Sequence, residues 1–142
     1  MYKKILVPTD ASEYSKRALS TAIELARLLG SEIELFHVTF TPQAYWGYAL
    51  SYGITVSQEE LNRNGEAALD ASLAGLEVGQ VPLRRKLKAG HPVNEILKEL
   101  ETEQIDLVVM GSHGYGPIMG PVLGSVSQRI LQRAECPVLI IK

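Results

Sequence analysis

Between Ile105 and Ser127 the chain reads IDLVVMGSHGYGPIMGPVLGSVS, an apolar run that breaks into glycines and then recovers helical spacing. Leu107-Val108-Val109-Met110, bounded by turn residues, has the pattern of a strand buried on both faces, which belongs in a parallel sheet. Glycines follow at 111, 114, 116, 120 and 124. Such a tract lets backbone amides approach an anion, and the helix after it points unpaired N–H groups and a positive dipole end the same way. Gly111 to Gln128 contains no Asp or Glu to oppose a phosphate. Strand, glycine tract and helix start therefore predict a phosphate site; the plainer alternative is a flexible connection.

The remaining elements alternate around this one. Tyr2 to Val7 is a short apolar strand ending at Pro8-Thr9-Asp10, and Asp10 with Glu13 matches a capping box, Ser12 being the second capping choice. Leu19, Ala22, Ile23, Ala26 and Leu29 share one helical face, and Gly30 stops that helix. Ile33, Leu35, Phe36 and Val38 give a second strand. Periodicity then vanishes from Thr39 to Ser57, a segment holding Phe40, Tyr45, Trp46, Tyr48 and Tyr52, read either as a lid or subunit contact or as an exposed loop.

A second helix is expected over Gln58–Leu76, with Leu61, Ala68, Leu69, Ser72 and Leu76 on one face. Val81 to Lys88 reads as an edge strand, its Arg84-Arg85-Lys86 and Lys88 forming a solvated face rather than a recognition patch. Pro92 opens a third helix with Val93, Ile96, Leu97 and Leu100 buried. A fourth, over Val126–Arg133, should bury Val126, Ile130, Leu131 and Ala134, and Val138 to Ile141 forms the last strand.

Five strands alternating with four helices specify an α/β fold: an open five-stranded parallel sheet with helices on both faces. Right-handed crossovers require the winding to reverse, leaving a crevice beyond the strand ends. With strands two and three on one side of strand one and four and five on the other, that crevice lies between Pro8–Ser12 and Gly111–Ser125. The 142 residues fit one domain, 1–142, and 46% hydrophobic with 21% charged residues excludes wholesale disorder. Net charge of -2 argues against nucleic acid. Short apolar runs argue against membrane insertion or a signal peptide, and single Cys136, read as a buried inert thiol, suits the cytoplasm.

Neither a G-x-x-x-x-G-K-[ST] loop nor a G-x-G-x-x-G after strand one occurs. What occurs is Gly111-x2-Gly114-x9-Gly124-Ser125, together with KKILVPTDASEYSKRAL at the start and CPVLIIK at the end. On these segments the whole chain resembles the universal stress proteins of the small, nucleotide-binding kind. The resemblance implies strand order 3-2-1-4-5, a Rossmann-like sheet of the adenine nucleotide alpha hydrolase-like type. It implies ATP or AMP as ligand, with Mg2+ carried on the phosphates rather than by protein side chains, and a homodimer through Val138 to Ile141.

Carried over by position, Pro8, Thr9 and Asp10 would line the adenosine end and Val38 would offer its backbone to the adenine edge. Met110, Gly111, His113, Gly114, Gly124, Ser125, Val126 and Ser127 complete the nucleotide-binding set around ribose and phosphates. Family members often carry arginine where this chain has Tyr115 and Gly120, and losing those cations weakens phosphate attraction. From the residues alone, Asp10 is a helix cap, a ligand contact or both, and His113 either donates to the ligand or stands exposed. His37 reads as a packing residue. No His–carboxylate pair is visible to activate Ser125 or Ser127 as a nucleophile. The expected function is adenine-nucleotide binding by a regulatory stress-response protein that signals through its dimer or a partner. A slow ATPase or phosphotransferase and a nucleotide-free interaction module are the alternatives.

Overall fold

The computed structural model describes residues 1–40, 57–114 and 122–142. The aromatic positions Tyr45, Trp46, Tyr48 and Tyr52, and Tyr115, Gly116, Gly120 and Pro121 of the glycine tract, lie outside that set. The elements are β1 (Lys4–Pro8), α1 (Glu13–Leu29), β2 (Glu32–Phe40), α2 (Gln58–Leu73) and β3 (Leu83–Gly90). They continue with α3 (Pro92–Thr102), β4 (Leu107–Gly111), α4 (Ser125–Arg133) and β5 (Val138–Ile141). All strand pairings are parallel and the sheet order is β3-β2-β1-β4-β5, as the resemblance implied. Val7 lies beside Leu35, Leu6 beside Val108, and Val108 beside Val138.

Strand alternation divides the core into two layers. Ile5, Val7, Ile33, Leu35, Leu107 and Val109 face α1 and α2, meeting Ala18, Leu19, Ala22, Ile23, Ala26 and Leu69. Leu6, Phe36, Val108 and Met110 face the other way, against Val93, Ile96 and Leu100 of α3 and Ile130 of α4. A side chain such as Leu19, wholly buried, contributes about 1.5–3 kcal/mol by leaving water. Because both faces are covered, the ends of the strands are where a ligand reaches the sheet. Among the described residues no helix is long and apolar enough to cross a membrane.

Several local expectations need correction. The N-cap of α1 is Ser12, whose side chain accepts from the Ser15 amide at 3.3 Å. Asp10 does not cap the helix; its Oδ1 accepts the Ser12 amide at 2.9 Å, a turn two residues long that Asp favours. Between them Ala11 sits at φ 65, a left-handed conformation uncommon for a residue with a Cβ. Helix α2 stops at Leu73, three residues short of Leu76, and buries Gly65, Leu69 and Ser72. Helix α4 starts at Ser125, and Leu131 is 45% exposed because only one narrow face of this short helix meets the sheet. Cys136 is half-buried rather than buried, and desolvation pushes its thiol up, which keeps it protonated.

Strand β3 is an edge, as expected, but its basic residues are not simply solvated. Arg84 donates to Glu34 Oε2 at 2.6 Å and Lys86 to Glu99 Oε1 at 2.6 Å, while Glu103 bridges both cations at 3.3 Å. Arg85, pointing to the opposite face, reaches Glu66 and Asp70 of α2 at 2.8 Å. Glu34 and Glu99 have side chains only 3% exposed, so the network ties β3 and β2 to the underside of α3. Burial pushes the Glu34 carboxyl up, outweighing the pull of Arg84 in the other direction.

Candidate functional site

The sheet order reverses between β1 and β4, and a cavity of about 290 Å³ opens at their C-terminal ends. Its wall takes Pro8, Thr9 and Asp10 from the end of β1, Val38 from β2, and Met110, Gly111, His113 and Gly114 from β4 and beyond. Gly124, Ser125, Val126 and Ser127 close it at the start of α4. All twelve positions marked from the sequence thus share one cavity. Four further lining residues, Ser15, Phe36, Pro92 and Ile96, were missed. Ser15 occupies the α1 first turn, while Phe36 and Ile96 are core residues whose flanks happen to reach the opening; only Pro92, following Gly90-His91 at a helix start, carried a local signal.

On one side the wall is the first turn of α4. Its N-cap is Gly124, which has no side chain to bond the orphan amides, and the turn contains no acidic residue. The Gly124 amide itself is occupied, donating to Ser112 O at 2.8 Å, and Gln128 N donates to Gly124 O at 2.9 Å. The amides of Ser125, Val126 and Ser127 come before that first intrahelical bond. The Ser127 hydroxyl donates to Gly111 O at 2.6 Å and is buried, so this residue offers the cavity its backbone rather than its side chain.

His113 is neither idle nor directed at the cavity. Its Nε2 lies 2.5 Å from Val122 O, which can only accept, so Nε2 carries a hydrogen and Nδ1 takes the Ser112 hydroxyl at 2.9 Å. Its ring also packs against Tyr14, 5.0 Å between centroids. His37, expected to be a packing residue, bonds instead through Nδ1 to Thr9 O at 2.7 Å. Thr9 is the hub of this corner: its amide donates to Phe36 O at 2.9 Å, and its hydroxyl meets Ser72 Oγ of α2 at 2.6 Å and Ser15 Oγ at 3.1 Å. The β1 end is therefore held by two buried hydroxyls, a backbone bond to β2 and the His37 ring, and Ser15 Oγ lies 3.2 Å from Asp10 Oδ1.

The two glycines of the tract's first half do different jobs. A Cβ at Gly111 would stand 2.7 Å from Tyr14 Cβ and 2.8 Å from the Tyr14 carbonyl carbon, so β4 needs glycine there to lie against α1. A Cβ at Gly114 would overlap Asp10 Oδ2, which places the Asp10 carboxylate directly on the glycine tract. Among the described residues no cluster of three His, Cys, Asp or Glu could hold a metal ion. Among the described lining residues Asp10 is the one acidic side chain.

A sequence model described as "Universal stress protein family" matches residues 1–142. The chain belongs to the universal stress protein family. Universal stress protein MJ0531 of Methanocaldococcus jannaschii is 32% identical over 142 residues, spanning 100% of this chain and 83% of that one. The solved structure of protein MJ0577 superposes with a TM-score of 0.81 at 30% identity, covering 100% of this chain and 96% of its own. A universal stress protein crystallised with cAMP has the same fold, with a TM-score of 0.71 at 23% identity over 99% of this chain and 97% of its own. Membership accounts for the shared architecture, including the sheet order and the helices on both faces.

Proposed function

We propose that this universal stress protein binds an adenine nucleotide, ATP or AMP, in the cavity between β1 and β4, and that occupancy regulates a stress response. One observation carries the assignment: a helix start with no side-chain cap and no acidic residue in its first turn opens onto a largely apolar cavity. Phe36, Val38, Ile96 and Met110 suit an adenine ring, and the amides of the α4 first turn suit a phosphate. The cAMP complex of a family member lends support. Mg2+ enters on the phosphates of a polyphosphate ligand. A cytoplasmic location goes with this reading, since a single cysteine forms no internal disulfide and suits a reducing compartment.

The signal passes through a homodimer or a partner. Strand β5 supports the dimer: it pairs with β4 on one flank, ends the sheet on the other, and leaves Leu139 38% exposed. Phosphoryl transfer would need cations at the terminal phosphate, and among the described lining residues there is no Lys or Arg. Hydrolysis is accordingly a side activity at most.

Gly124→Asp tests the assignment. A carboxylate at the N-cap bonds the same amides and adds a negative charge, so AMP affinity in equilibrium dialysis should fall more than tenfold. The added Cβ meets Ser112 O at 3.3 Å, a tight but adjustable contact, and the cap offsets its cost, leaving the melting temperature near that of the parent. Undiminished affinity in the folded variant would put the phosphate elsewhere.

A further inference from the structure

The β1 wall of the cavity is steadied by a residue that does not line it, an inference that rests on the assignment above for its ligand. Thr9, Asp10 and Ser15 stand on that wall. Ser72, the next-to-last residue of α2, lies outside it and is fully buried. Its Oγ meets Thr9 Oγ1 at 2.6 Å, the shortest contact in a chain of buried hydroxyls. From Thr9 Oγ1 the chain continues to Ser15 Oγ at 3.1 Å, and from there to Ser12 O at 2.9 Å and Asp10 Oδ1 at 3.2 Å. Thr9 Oγ1 also accepts the Ala11 amide at 3.0 Å, inside the left-handed turn that separates Asp10 from the helix cap.

Each hydroxyl carries one hydrogen, so these bonds are not independent choices. When Thr9 donates to Ser15, the contact with Ser72 is a bond only if Ser72 donates to Thr9. When Thr9 donates to Ser72 instead, the Ser72 hydrogen goes to Ala68 O at 2.8 Å. In both arrangements Ser72 and Thr9 are bonded, so the Thr9 side chain is held whichever way the hydrogens run. Thr9 is 6% exposed and Ser72 0%, so solvent does not substitute for that bond. We infer that Ser72 is a positioning residue for the cavity: its hydroxyl fixes the Thr9 side chain, and Thr9 in turn fixes the Ala11 amide and the Ser15 hydroxyl on the wall that receives the ligand.

Ser72→Ala tests this. Alanine is the better helix former, and Thr9 Oγ1 keeps Ser15 and the Ala11 amide as partners, so the variant should fold. Three-bond NMR couplings to the Thr9 methyl group read its χ1 rotamer without any ligand; they should report one rotamer in the parent and an average in Ser72→Ala. Calorimetry should show AMP affinity falling about three- to tenfold in the variant, the range one hydrogen bond spans. In a Thr9→Val background the same substitution should cost almost nothing further, whereas a role confined to packing α2 would lower affinity equally in both backgrounds and overturn the inference. Couplings that stay unaveraged in a folded Ser72→Ala protein would overturn it whatever the cavity binds, and averaged couplings with unchanged AMP affinity would break the link to the cavity. A parent chain that binds no AMP would overturn the nucleotide assignment alone, since the couplings still decide whether Ser72 sets Thr9.

Discussion

Replacing Gly111 by alanine introduces one methyl group where β4 crosses the first turn of α1. The new carbon would lie 2.7 Å from Tyr14 Cβ, 2.8 Å from its carbonyl carbon and 3.0 Å from its carbonyl oxygen. Carbon atoms rest about 3.5–4.0 Å apart, so strand and helix must separate by roughly 1 Å. Two of the three atoms are backbone, which no rotamer change can move. Overpacking of this kind costs about 1–3 kcal/mol. With an unfolding entropy of roughly 2.1 cal/mol/K per residue over 142 residues, the melting temperature should fall by about 3–10 °C. Gly114→Ala is the control: among the described residues its Cβ meets the end of the Asp10 side chain and no backbone atom, so that variant should melt within about 2 °C of the parent. Scanning calorimetry of both variants decides the matter. A Gly111→Ala protein as stable as Gly114→Ala would show that β4 and α1 are not in the tight contact described.

Glu34→Gln keeps an acceptor for Arg84 and removes a buried charge. Because burial holds the Glu34 carboxyl above its ordinary value, its share of stability is complete below the unfolded range and declines as pH rises through the folded value. As pH rises above the ordinary carboxylate range the variant's melting temperature should therefore fall less than the parent's, and identical slopes would refute this. Ser127→Ala removes the 2.6 Å bond to Gly111 O and should cost about 1–3 kcal/mol in denaturant unfolding; a loss within error would mean that carbonyl is satisfied without it. Leu139→Lys on β5 should shift a dimer toward monomer by at least tenfold in sedimentation, and an unaltered dimer would exclude this edge as its seam.

Much of the architecture was legible because the strands carry uninterrupted apolar runs and the helices keep one buried stripe. Leu107 to Met110 announced a strand covered on both sides, and the crevice followed from the winding. The glycine spacing together with the family resemblance marked twelve wall positions. What escaped notice depends on contacts made across the fold. Phe36 and Ile96 look like any core residue until the sheet end exposes their flanks. Glu34, flanked by Ile33 and Leu35, reads as the wet side of an alternating strand, yet α3 covers it and Arg84 reaches it from β3. Asp10 and Ser12 are both sound caps by type; the left-handed turn at Ala11 decides between them.

Three bonds at the end of β4 join parts of the protein with different tasks. Ser112 N donates to Ile141 O at the sheet's outer strand, Ser112 O receives the Gly124 amide, and Gly111 O receives the Ser127 hydroxyl. One dipeptide thereby anchors both the mouth of the cavity and the final strand. The helix start and the outermost strand are thus tied to the same two residues, with no separate element between them.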